Sequence, residues 1–137
     1  MTLIDTPVWS LALRRNPERL APQERRLKQL WYEIVDDGRA QLLGSVRQEL
    51  LSGLREEAQV ERLRNYLRDF PDVTNTTEDY EQAARASNQC RRAGLATSPV
   101  DMLICAVARR NDWDILTADL DFPRYSKILG IRLLAAN

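Results

Sequence analysis

The stretch TSPVDMLICAVARR, residues 97–110, decides the fold. From Val100 to Ala108 every side chain is apolar except Asp101. A segment that is apolar all round reads as a buried helix, here opened by Ser98 with Pro99 at its first position. A carboxylate taken out of water costs several kcal/mol unless something pairs with it. What neutralises Asp101 is therefore the question put to the rest of the chain.

Working outward, short apolar runs alternate with amphipathic stretches, the pattern of an α/β domain. TLI (2–4), AQLLG (40–44), DILTAD (114–119) and IRLL (131–134) read as strands. Between them, Thr6 and Pro7 open a first helix. A second runs from Pro22 to about Asp37 on the stripe Leu27, Leu30, Trp31, Ile34 and Val35, and Gly38 ends it. Ser45 and Gln48 are spaced as a capping box for a short helix stopped by Gly53. Val60, Leu63, Leu67 and Phe70 mark the buried side of another, stopped by Pro71, and Thr77, Glu78 and Asp79 start one that runs to Gly94. Strands separated by helices imply a parallel sheet covered on both faces.

At 137 residues the chain reads as one domain, 1–137, with enough length to bury roughly two-thirds of its unfolded surface. Its 44% hydrophobic and 29% charged residues are an ordinary globular mix. The longest apolar run, MLICAVA, falls far short of the ~20 residues of a membrane span, and MTLIDTPVW lacks the basic start and apolar core of a signal peptide. The cytoplasm, with no membrane association, is the compartment expected. Cys90 and Cys105 fall in helical segments and read as buried reduced thiols. Net charge is zero, so nucleic-acid binding would have to be local or shared with a second subunit. The chain has no histidine, which excludes histidine bases, triads and metal ligands. Its cations are arginines apart from Lys28 and Lys127, and arginine suits phosphate.

Ligands of open parallel sheets bind beyond the carboxyl ends of the strands. Asp5 follows the first strand, Glu49 lies about one turn into the helix after the second, and Asp119 ends the third, with Asp121 two residues on. Asp101 sits in the first turn of the buried helix. Singly, each has an ordinary reading: Asp101 as the acid of a capping box with Ser98, Asp5, Asp119 and Asp121 as turn residues, Glu49 as a solvated helix acid. Together they are harder to explain. Two like charges ~4 Å apart repel by about 4 kcal/mol at an effective dielectric of 20, against a domain stability of ~5–15 kcal/mol. Such a cluster is tolerable when protonated or bound to cations, and carboxylates without His or Cys select Mg²⁺ or Mn²⁺. A metal so held can lower the pKa of a bound water, neutralise a phosphate and stabilise a leaving oxygen, with no histidine needed. Asp5, Asp101 and Asp119 are then the candidate ligands. Glu49 would bind a second metal or orient the attacking water, and Thr6, Ser98 and Thr117 supply supporting hydroxyls. Arg14, Arg15, Arg47 and Arg124 are candidates to hold an RNA backbone. Trp9, Trp31 and Tyr32 could stack on bases or pack, and Trp31 sits on a core stripe.

LIDTPVW, VRQELLSG, SPVDMLICAVA and LTADLDF, in this order and spacing, resemble the PIN domain, and more narrowly the VapC toxins of VapBC toxin–antitoxin modules. The resemblance spans essentially the whole chain and rests on the ordered set of four motifs. It implies a three-layer α/β/α fold whose central, mainly parallel sheet has about four to five strands flanked by helices. It implies a Mg²⁺- or Mn²⁺-dependent endoribonuclease acting on an RNA substrate, with Asp5, Glu49, Asp101 and Asp119 as the four acids and Asp121 as a second candidate for the last. It also implies a homodimer and a cognate VapB antitoxin that forms a hetero-oligomer with the toxin and offers an arginine to the carboxylates. Pro7 stands where the first motif usually has Ser. Other classes fit less well. A phosphorelay receiver wants paired acids after its first strand and a late lysine at a strand end, whereas LIDTPV has one acid and Lys127 lies in a helical segment. A haloacid-dehalogenase-type phosphatase wants a second Asp where Pro7 stands. A catalytically silent PIN scaffold would not need all four acids.

Overall fold

A computed structural model describes residues 1–14 and 16–135, with the Arg14 side chain outside the description. Its sheet has three parallel strands, β1 (Thr2–Ile4), β2 (Ala40–Gln41) and β3 (Asp114–Leu116), in the order β2-β1-β3. Single parallel bridges extend it at both sides, Leu42 to Asp72 and Ile115 to Leu133. The segment read as a fourth strand, 131–134, is thus a bridge rather than a full strand. It runs beside β3 for only two hydrogen bonds, Ile115 N to Arg132 O and Leu134 N to Ile115 O.

Seven helices surround the sheet among the described residues: α1 (Thr6–Arg14), α2 (Pro22–Asp36), α3 (Gly44–Ser52), α4 (Glu57–Leu67), α5 (Thr77–Arg92), α6 (Pro99–Asn111) and α7 (Phe122–Leu129). The opening stretch forms α6 as expected. Met102 to Ala108 are all buried, and Ser98 Oγ accepts the Asp101 amide proton at 3.1 Å. Because α6 packs against α5 and reaches β1 and β3, it lies within the core rather than on it. No described helix is long and apolar enough to cross a membrane.

Three details differ from the sequence expectation. Helix α3 starts at Gly44 without a side-chain cap, because the N-cap residue is Leu43, whose side chain has no acceptor; Ser45 lies inside the helix and forms no capping box with Gln48. The cap of α5 is Thr76, one residue earlier, in a reciprocal box with Asp79. Helix α4 ends at Leu67, and Phe70 continues the apolar side as a turn residue. Trp9, far from facing solvent, is buried. Its indole donates to Ile4 O at 3.1 Å, and its ring meets Trp31 and Phe70 edge-on at 5.8 and 5.1 Å. Trp31 is likewise core, whereas Tyr32 is exposed. Cys90 and Cys105 are free and buried.

Candidate active site

The parallel order points the carboxyl ends of β1 and β3 the same way, and the helices that follow begin there. Asp5 is the first residue past β1. Its Oδ1 accepts the Thr6 amide at 2.8 Å and its carbonyl accepts those of Val8 and Trp9, so the residue that ends the strand also starts α1. Leu116, the last residue of β3, accepts the Asp5 amide at 3.0 Å, which locks the two strand ends together. Thr117 then serves two acids at once. Its hydroxyl donates to Asp5 Oδ2 at 2.9 Å and accepts the Asp119 amide at 3.0 Å. Asp119 Oδ1 in turn accepts the Asp121 amide at 2.9 Å, shaping the turn into α7.

These links converge three acids. One carboxylate oxygen from each of Asp5, Asp101 and Asp119 lies within 4.8 Å of the other two. Glu49 stands at the rim on α3, exposed, with Thr6 Oγ1 donating to its Oε1 at 3.0 Å. Asp121 is exposed and reaches the cluster through its amide, so geometry favours Asp119 over Asp121 as the acid of the last motif. Helix α6 presents the positive end of its dipole to the cluster, because Asp101 lies in its first turn.

Among the described residues, the electrostatics are those of acids raised by burial and by one another. Burial raises Asp5 from 3.8 to about 6, against the opposing bonds from Thr117 and the Thr6 amide, and Asp119 and Glu49 push the same way. Asp101 also rises to about 6, through burial first and then the charges of Asp5 and Asp119. Among the described residues, no arginine or lysine forms an ion pair with Asp5, Asp101 or Asp119. The donor set is oxygen only. Oxygens bound to one Mg²⁺ at about 2.1 Å lie at most ~4.2 Å apart, so the three carboxylates fit a hard divalent cation after a small inward adjustment.

The arginines divide differently from the sequence expectation. Arg47 is spent inside the fold. Its Nε meets Asp72 Oδ1 at 2.8 Å, Nη1 donates to Leu67 O at 3.0 Å, and Nη2 donates to Phe70 O. It bolts α3 to the end of α4, with three of the five guanidinium N–H groups engaged inside the fold. Arg124 is exposed on α7, a few residues past Asp119. Arg15 and the Arg14 side chain lie outside the described residues. Sequence reasoning missed Tyr125, whose buried hydroxyl is felt by Asp101, Asp121 and Asp119. The signal was there: Phe122, Tyr125 and Leu129 form the apolar stripe of α7, which turns the hydroxyl inward.

The PIN domain family model matches residues 2–128. The chain belongs to the PIN-domain family. A search of curated protein sequences finds no match. Among solved structures, the PIN fold of this chain is similar to a chain of FitAcB from Neisseria gonorrhoeae, with a TM-score of 0.74 and 20% identity over 99% of this chain and 98% of that one. A chain of VapBC2 from Rickettsia felis, bound to a DNA fragment from its promoter, gives a TM-score of 0.72 and 14% identity over 97% and 96%. A chain of VapBC-1 from nontypeable Haemophilus influenzae gives 0.64 and 11% over 97% and 96%. At such identities the likeness is one of fold. It extends nearly end to end, so this PIN domain accounts for nearly all of each matched chain.

Proposed function

We propose that this PIN domain is the toxin of a VapBC-type toxin–antitoxin pair, an endoribonuclease that depends on Mg²⁺ or Mn²⁺. One observation carries the reading: three carboxylates meet at the sheet edge with no basic partner among the described residues. Asp5, Asp101 and Asp119 would hold the cation. Once bound, the ion neutralises the attacked phosphate and eases proton loss from water. The chain's own groups do the rest. Thr117 and the Thr6 amide fix both oxygens of Asp5, and Ser98 fixes the start of α6 and hence Asp101. Glu49, steadied by Thr6, takes a proton of the attacking water on its carboxylate. The water oxygen bonds to phosphorus, the phosphorus–ribose oxygen bond breaks, and the departing oxygen takes a proton from solvent, which leaves a phosphate monoester and a hydroxyl. Arg124 holds the flanking backbone.

Two features support an antitoxin as partner. The acid trio is complementary to a guanidinium, which can bond carboxylates in a forked pair and replace the ion's charge. Beside it runs a groove of about 750 Å³ lined by Pro7, Leu11, Leu27, Leu120 and Leu133, with Asp119 on its wall. Leu120, next to Asp119 in sequence, is 84% exposed, a poor place for leucine unless a partner covers it. The antitoxin occupant is an apolar segment with an arginine facing Asp119. The VapC resemblance also brings a homodimer, which light scattering measures directly.

The test is RNA cleavage by the isolated chain with Mn²⁺ and with EDTA. Cleavage with Mn²⁺, lost in EDTA and in Asp5→Ala and Asp101→Ala, is the expected result. Cleavage that persists in EDTA or in those variants overturns the metal reading. Absence of any cleavage beside tight binding to the product of a neighbouring gene points to a silent scaffold.

A further inference from the structure

The separation of Asp101 from Asp119 depends on more than the sheet. Asp119 follows β3, whereas Asp101 rides on α6, which enters from the loop 93–98 after α5. That loop is tied at two adjacent residues. Thr97 Oγ1 and Ser87 Oγ on α5 share a hydrogen bond of 2.7 Å, and the Tyr125 hydroxyl on α7 donates to Ala96 O at 3.1 Å. Two residues beyond Ala96, Ser98 Oγ holds the Asp101 amide. On the other side, the Tyr125 amide bonds Asp121 O in the turn that Asp119 shapes. The Tyr125 ring is buried and edge-on to Phe122 at 5.4 Å, which leaves it little freedom. Burial and the surrounding carboxylates, Asp101 foremost, push its hydroxyl above the usual tyrosine range, so it stays a proton donor.

We propose that Tyr125 is a positioning residue: its hydroxyl, through the Ala96 carbonyl, clamps the start of α6 to the start of α7 and so sets the spacing of Asp101 and Asp119 for one divalent ion. The proposal rests on the nuclease reading for the use of the ion and on the hydrogen-bond path for the clamp. Nothing in the reaction touches Tyr125 itself. Its effect is geometric, and a displacement of about 1 Å in a reacting constellation can cost ~10²-fold in rate.

Tyr125→Phe removes the hydroxyl and keeps the ring. Ser126→Ala is its control. Ser126, the next residue of α7, donates to Ile131 O at 2.9 Å, a bond of the same kind that leads away from the acids. Two measurements on the whole chain decide. In Tyr125→Phe, calorimetric Mn²⁺ affinity falls about tenfold and amide hydrogen exchange at Asp101 and Met102 accelerates, while Ser126→Ala changes neither, even if both variants melt earlier. Equal exchange at Asp101 in Tyr125→Phe and the parent overturns the clamp, as does an equal drop in both variants. If the parent binds no Mn²⁺, the nuclease reading fails while the exchange comparison still decides the clamp.

Discussion

Asp79 and Asp5 are both buried carboxylates, 1% and 3% exposed, and the fold treats them in opposite ways. Asp79 lies under α6, where Arg110 Nε reaches its Oδ1 at 2.6 Å and Nη2 its Oδ2 at 2.9 Å, with the Thr76 amide on Oδ2 at 2.8 Å. Burial works to raise its pKa, the bonds from Arg110 and Thr76 outweigh it, and the carboxyl titrates below the ordinary range. Among the described residues Asp5 receives a hydroxyl and an amide, faces two or three further acids, and rises to about 6. The gap from 3.8 amounts to about 3 kcal/mol against the ionised form. Among the described residues, the fold pairs one buried acid with a guanidinium and sets the other among further acids.

Neutralising each acid in turn should break that symmetry most visibly. Asp5→Asn should lower RNA cleavage about 10³-fold, roughly 4 kcal/mol of activation free energy, because it removes a ligand charge; single-turnover rates with Mn²⁺ measure it. Arg110→Ala strands Asp79 and should cost about 3 kcal/mol in denaturant melts, at the low end for a buried pair because Arg110 is 35% exposed. The rate at saturating metal should change little for the fraction that stays folded. Asp5→Asn should do the reverse to stability, gaining about 1–2 kcal/mol at pH 7.5 without metal, since a buried unpaired charge is gone.

pH separates the two acids further. Asp5 and Asp101 bind protons more tightly folded than unfolded, so their contribution is full below about pH 4 and is lost as pH rises through about 6. Stability of the metal-free chain should therefore fall across that window, and Mn²⁺ should restore it. Asp79 contributes above the unfolded carboxylate range and is lost only as pH falls through its depressed folded value. The smallest effect belongs to Thr117→Val. Loss of the bond to Asp5 Oδ2 should move the acid limb of the rate profile upward by less than about one pH unit.

Much of this contrast was legible in the sequence on one side only. Asp101 was visible because a lone acid interrupts an apolar helix, and Asp5, Asp119 and Glu49 because each follows a strand that pattern and topology place side by side. Asp79 was legible as a helix-start acid and no more. Its partner lies 31 residues away on another helix, and no local period reports such a pairing. Arg47 was misplaced for a related reason: an arginine three residues into a helix looks the same whether it faces solvent or a carbonyl. The short strands blurred the sheet, since two or three residues of β1, β2 and β3 suffice where α6 and its neighbours cover both faces.

The bond from Thr117 to Asp5 joins residues 112 positions apart. β1 is made long before its partner β3, so no product of translation that stops short of Asp119 contains the three acids together. On the proposed reading, such a product has no complete site for the divalent ion.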